Sequence, residues 1–270
     1  MRLLFVGDVV GRAGRDAVAR HLPALRRDLG LDFVLVNGEN AAGGYGITEK
    51  ICQQFYDLGV DAVTTGNHVW DQREIISYIE RDKRLLRPHN FPPGTPGSGA
   101  VVLPAVGQRK VLVIHLMCRV FMMALDDPFA CVERALTAHR LGGTVDAVMV
   151  DIHGEATSEK AALAHFVDGP ASLAVGSHTH VPTADARILT GGTGFQSDAG
   201  MCGDYDSVIG FDKAAWLHRF TRQMPTPRIA PAAGPGAFCA VFVETDETTG
   251  LARRIAPVRL GGGLIDAMPI

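Results

Sequence analysis

With 270 residues, 47% of them hydrophobic and 20% charged, the chain can build one large domain or two small ones, and wholesale disorder is excluded. Lys and Arg total 26 against 29 Asp and Glu, a formal charge of −3 that argues against a general polyanion binder. Five scattered cysteines with no CxxC pair fit free thiols in a reducing cytoplasm, and no apolar stretch is long enough for a signal peptide or a membrane span.

In chain order, β-like apolar runs fall at residues 2–6, 32–36, 60–65, 111–114, 145–152 and 172–175. Helical periodicity covers 15–29, 128–139 and 159–166, and Asp71-Gln72-Arg73-Glu74 predicts a capping box that opens a further helix. Strands alternating with helices predict βαβ units and a largely parallel sheet. The pattern changes toward the end. Residues 183–189, 237–245 and 251–260 read as strands with no long helix between them, and 244–250 reads as a hairpin turn. Antiparallel strands are therefore expected there, and two sheets flanked by helices satisfy the whole pattern. Residues 87–99, with four prolines, and 224–236, rich in Pro, Ala and Gly, are expected to be surface loops of a single domain spanning 1–270.

Ligands of parallel α/β sheets bind outside the carboxyl ends of the strands. Those ends here carry Gly7-Asp8, Asn37-Gly38-Glu39-Asn40, Gly66-Asn67-His68, His153-Gly154-Glu155 and Gly176-Ser177-His178-Thr179-His180. Taken singly, each has an ordinary explanation as a turn, a cap or a loop. Five strand ends in order are hard to obtain that way. Carboxylate oxygen with neutral imidazole suits Fe, Mn, Zn or Co, and the lack of Cys disfavours a purely structural zinc site. Seven or eight ligands exceed the needs of one ion; two ions sharing a carboxylate would use them.

In their order, Gly7-Asp8-x-x-Gly11, Gly38-Glu39-Asn40, Gly66-Asn67-His68, His153 and Gly176-Ser177-His178-Thr179-His180 resemble the motifs of the calcineurin-like metallophosphoesterases. Longer phrases resemble one bacterial subgroup, the YmdB-like phosphodiesterases. They are Asn37-Gly38-Glu39-Asn40-Ala41-Ala42-Gly43-Gly44, His153-Gly154-Glu155-Ala156-Thr157-Ser158-Glu159-Lys160, Asp198-Ala199-Gly200-Met201 and Tyr205-Asp206-Ser207-Val208-Ile209-Gly210.

The resemblance implies a four-layer α/β/β/α sandwich with mixed sheets. It implies two transition-metal ions, with iron or manganese leading. Asp8 and His180 would hold the first, Asn67, His153 and His178 the second, and Glu39 would bridge them, with Asn40 against the centre. It implies that a bridging hydroxide attacks phosphorus while His68, beside the metals, protonates the leaving oxygen. Glu39 stands where the wider superfamily has Asp, and Val69 follows Asn67-His68 where an acidic residue is common; Asp71 is then the carboxylate nearest in sequence to orient His68.

The substrates so implied are small phosphodiesters, 2',3'-cyclic nucleotides first, opened to 3'-nucleotides. No stable nucleic-acid complex and no membrane is expected, and a homo-oligomer is left open. Arg119 is a candidate to grip phosphate, and Asn90 to meet a nucleobase; a surface arginine and a Pro-rich loop are equally ordinary readings. A phosphomonoesterase or protein phosphatase, and a metal-bound regulator with little turnover, stay open beside the phosphodiesterase.

Overall fold

Apolar side chains alternate between the two faces of each strand, so every central strand offers one apolar row to a helix layer and another to a second sheet. The computed structural model describes residues 1–269. The first half of the chain contains β1 (Arg2–Val6), β2 (Asp8–Val9), α1 (Gly11–Asp28), β3 (Phe33–Asn37), α2 (Glu49–Asp57), β4 (Ala62–Thr64), α3 (Ile75–Tyr78) and β5 (Leu85–Leu86). Then come β6 (Ala100–Pro104), β7 (Lys110–Met117), α4 (Pro128–Ala138), β8 (Ala147–His153), α5 (Thr157–Phe166) and β9 (Leu173–Ser177). The remainder is β10 (Arg187–Ile188), β11 (Gly194–Gln196), β12 (Met201–Asp204), α6 (Lys213–Arg222), β13 (Gly236–Thr245) and β14 (Ala252–Leu260).

The first sheet runs β2-β12-β13-β1-β3-β4-β5, with β14 paired to β13. Its β1, β3, β4 and β5 are parallel, and β13 is antiparallel to both β1 and β14. The second sheet runs β10-β11-β9-β8-β7-β6. Its interior strands are parallel, and its edge strands β6 and β10 are antiparallel. Both sheets are thus mixed, and the late strands are antiparallel as expected.

Leu4, Val6, Val34 and Val36 pack against Val18 and Leu22 of α1 and Phe55 of α2. The opposite faces of the same strands, through Leu3, Phe5, Phe33 and Leu35, meet Val111, Val113, Met149 and Val175 of the second sheet. The far side of that sheet, Leu112, Ile114, Val148 and Val150, is covered by Val132 of α4 and Leu163 of α5. The layers are therefore α/β/β/α.

Several local expectations are corrected. The Asp71–Glu74 capping box does not form: α3 begins only at Ile75, and Glu74 makes no side-chain cap bond. Glu74 instead accepts from the Glu49 N–H at 3.1 Å, at the start of α2. Asp71 is taken by His68 and Arg228. Helix α1 starts at Gly11, ahead of the predicted residue 15. The strand expected over 183–189 shrinks to β10, because Thr183 and Asp185 are tied to Ser197 and Asp198. Helix α2 is an addition to the expected elements. Among the described residues, no helix is long and apolar enough to cross a membrane.

Candidate metal centre

The strand ends of both sheets open onto one edge and bring their polar residues together. His153 Nε2 lies 3.0 Å from Glu39 Oε2, 3.1 Å from Asn67 Oδ1 and 3.2 Å from His178 Nδ1. Beside this group, ligand atoms of Asp8, Glu39 and His180 lie within 4.8 Å of one another, and Asn40 Oδ1 is 3.2 Å from His180 Nε2. Glu39 belongs to both groups. The structure thus collects Asp8, Glu39, Asn40, Asn67, His153, His178 and His180 in one place, with His68 at its side.

Local backbone design explains the convergence. The backbone N–H groups of Asn67 and His68 donate to Glu39 Oε1 at 2.9 and 3.1 Å, which fixes the carboxylate and turns Oε2 toward His153. Gly66 opens that turn at φ +56°, and a Cβ there would sit 2.6 Å from both Glu39 Oε1 and His153 Cε1. Only glycine meets both conditions. His178 and His180 have φ of 96° and 66°, strained values for side-chain-bearing residues. A fully buried ion pair holds their loop: Lys160 Nζ reaches Asp198 Oδ2 at 3.0 Å and Ser177 O at 3.3 Å. Asp198 also accepts from Thr179 N at 3.1 Å and Thr179 Oγ1 at 2.7 Å.

The donor set fits metal ions. Asp8 is fully buried and its Oδ1 has no hydrogen-bond partner, a costly arrangement that a cation would relieve. Burial pushes the Asp8 carboxyl well up. Burial opposes charge on Glu39 and His153 too, but each holds the other ionised. Glu39 falls well below the usual carboxylate range, and His153 rises to about 9. Burial, and then the charge of His153, press His178 down to about 3, and burial lowers His180. These imidazoles favour their neutral, lone-pair-bearing form.

Outer hydrogen bonds orient the rings. His180 Nδ1 meets Ile209 O at 2.7 Å, so it carries the proton and Nε2 keeps its lone pair toward Asn40. His153 Nδ1 meets Ser177 Oγ at 2.9 Å, leaving Nε2 toward the cluster. His178 Nε2 is 3.4 Å from Glu155 Oε2, so its Nδ1 faces inward. His68 lies outside both donor groups, and its Nδ1 is 3.1 Å from Asp71 Oδ2, the carboxylate nearest in sequence.

Arg119 and Asn90 are not brought to the cluster. Arg119 pairs with Asp127 at 3.5 Å while its backbone N–H binds Glu159. Asn90 is fully buried, and its amide is used on Met117 and on Asp126 O. A cavity of about 500 Å³ does adjoin the cluster, with Tyr45, Phe211, Trp216, Arg219 and Arg228 in its lining. Sequence reasoning missed these residues. They come from segments with no metal-ligand signature, and only the fold brings them beside the strand ends.

An α/β/β/α sandwich that gathers a cysteine-free set of carboxylates, amides and imidazoles at one sheet edge is the architecture of the metallophosphoesterases. The family model described as YmdB-like protein matches residues 4–258, and the chain belongs to that family. It is 43% identical over 255 residues to a Bacillus subtilis protein named 2',3'-cyclic-nucleotide 2'-phosphodiesterase, covering 94% of this chain and 95% of that one. A Mycoplasma genitalium protein named as a phosphatase/phosphodiesterase is 33% identical, over 78% of this chain and 75% of its own. Among solved structures, a hypothetical protein from Thermus thermophilus superimposes with a TM-score of 0.90 at 42% identity, covering 96% of this chain and 99% of that one. A structure described as a novel phosphatase, from Mycoplasma pneumoniae, gives 0.89 at 29% identity, covering 96% and 93%.

Proposed function

We propose that the protein is a dinuclear metal-dependent phosphodiesterase that hydrolyses small phosphodiesters, 2',3'-cyclic nucleotides first among them, to 3'-nucleotides. The observation that carries this reading is the pair of buried donor groups that share Glu39, one of which contains the unpartnered Asp8 Oδ1. Asp8, His180 and Asn40 would hold one ion and Asn67, His153 and His178 the other, with Glu39 a member of both donor groups. When bound, the ions supply Lewis-acid charge to the phosphate oxygens and make water a stronger nucleophile. His68 gives a proton from Nε2 to the departing 2' oxygen, while Asp71 keeps the other ring proton on Nδ1. The chain works as one domain, 1–270, since both sheets supply the core between them and the donors at their common edge.

Metal content by mass spectrometry, with 2',3'-cyclic AMP hydrolysis assayed on the same sample, tests the reading. The expected result is about two transition-metal ions per chain, iron or manganese, and 3'-AMP as product. Absence of metal after reconstitution would overturn the ligand set. The name of the M. genitalium relative joins phosphatase to phosphodiesterase and that of the M. pneumoniae structure says phosphatase, so a phosphomonoester is assayed in parallel. Faster monoester turnover would transfer the proposal to that substrate class.

A further inference from the structure

The cavity beside the cluster has a wall that cleavage of a phosphodiester does not itself require. Phe211 stacks on His180, with ring centroids 6.5 Å apart and 12° between planes. Tyr45 packs on Phe211 at 5.4 Å and meets the His68 ring edge-on at 5.2 Å. A continuous aromatic rim thus joins a proposed metal ligand to the proposed proton donor. Two guanidinium groups line the same cavity. That of Arg228 sits 3.9 Å from the centre of the Tyr45 ring, and that of Arg219 lies 5.3 Å over Trp216. Arg228 spends one hydrogen bond, to Asp71 Oδ2 at 3.2 Å. Among the described residues the Arg219 side chain makes no hydrogen bond or ion pair and lies over the Trp216 ring.

We propose that this wall is a nucleobase subsite, and that the enzyme recognises a nucleotide rather than a bare phosphodiester. The inference rests on the phosphodiesterase reading above and names what that site reads. Flat aromatic and guanidinium faces bind bases by stacking, which tolerates any base because every base has a π-face. The cavity has room for a nucleoside beside a phosphate held at the cluster: it is about 500 Å³ and is lined by both sets of residues. Arg219 and Arg228 therefore set specificity for the base-bearing part of the substrate, and discrimination among the four bases is weak.

The test uses the metal-loaded protein with three probes. Adenosine, which has no phosphate, is titrated by saturation-transfer NMR. Hydrolysis is compared for 2',3'-cyclic AMP and for ribose 2',3'-cyclic phosphate, which lacks the base. Adenosine is expected to bind the wild type, and Arg219→Ala and Arg228→Ala are each expected to weaken it about tenfold. In both variants the ratio of kcat/KM for the nucleotide over the base-free analogue falls by a similar factor, through KM. An unchanged ratio in both variants overturns the subsite, as does a wild type that does not bind adenosine. No turnover of either diester would instead overturn the phosphodiesterase reading, and the adenosine titration then decides the subsite alone.

Discussion

Ser177 Oγ lies 2.6 Å from Asp151 Oδ1, and this hydrogen bond decides how His153 is protonated. Asp151 is fully buried; burial opposes its charge, but His115 and His153 beside it and the Ser177 hydroxyl keep its carboxyl below the usual range. An ionised carboxylate only accepts, so the serine must donate to it. The serine oxygen then accepts, and at 2.9 Å it accepts from His153 Nδ1–H. Nδ1 therefore keeps its proton, and Nε2, which carries a proton toward Glu39 while that pair is ionised, is the nitrogen that would give up its proton to a metal ion.

Ser177→Ala removes that acceptor. The expected result is about 10–100-fold weaker binding of one of the two metal ions, which is typical when the outer partner of a ligating histidine is lost. Competition with a chromophoric chelator measures it, and ¹⁵N shifts of the His153 ring report the tautomer. Unaltered affinity together with an unaltered tautomer would dismiss the serine from this role.

His68→Ala should leave metal content intact and lower turnover about 10²–10⁴-fold, the usual worth of a general acid. Asp71→Asn should cost less. It keeps a side chain near His68 Nδ1, now 3.1 Å from Asp71 Oδ2, but loses the carboxylate charge. Equal rates for His68→Ala and wild type would remove His68 from the mechanism.

Gly66→Ala addresses the turn that carries Asn67 and His68. The added methyl would press on Glu39 Oε1 and His153 Cε1, each 2.6 Å from its position, and the φ of +56° would add strain. Metal binding is expected to fall more than global stability, because the clash lies inside the donor cluster. Equilibrium dialysis and a urea melt on the same variant separate the two effects.

The alkaline limb of stability reports a buried thiol. Burial raises Cys239 to about 11, against an ordinary value of 9.0. Between those values the unfolded chain has lost a proton that the folded chain retains, so stability falls as pH rises. The contribution is whole below pH 9.0 and lost as pH climbs through about 11. Urea midpoints at pH 8 and at pH about 10.5 should separate further for wild type than for Cys239→Ala. Equal separations would mean that the thiol titrates alike in both states.

The layer order and the edge where the ligands gather were readable because period-two apolar runs and the polar residues that end them are local signals. The role of Ser177 gave no local signal, since its partner Asp151 lies on a different strand. The capping box misled for a related reason. Asp71 and Glu74 have the right spacing, but His68, Arg228 and the α2 backbone compete for them through space. Asn90 and Arg119 follow the same logic. A polar residue near an apolar strand looks alike in sequence whether it faces a ligand or closes a loop, and Asn90 closes one onto Met117 and Asp126. The cavity wall was invisible because Tyr45, Phe211 and Arg228 come from three distant segments.

Lys160 and Asp198 are each fully buried and meet at 3.0 Å, in phrases that mark the family likeness, and neither is itself a metal donor. Their role is mechanical. Asp198 grips the backbone and hydroxyl of Thr179 and the N–H of Gly200, and Lys160 grips Ser177 O. The segment between them holds His178 and His180 at positive φ. Lys160→Ala strands a buried carboxylate and should cost about 3–5 kcal/mol in a urea melt. Lys160→Met with Asp198→Asn should cost less than Lys160→Ala alone, because no unpaired charge is left behind, although the amide has one oxygen and so accepts from Thr179 or from Gly200 but not from both. If the pair acts on the metal centre only through the loop, the double variant still folds and binds metal, but more weakly, since the amide holds Thr179 less firmly than the carboxylate does. A double variant as unstable as the single one would show that the stability comes from packing at this position rather than from charge pairing.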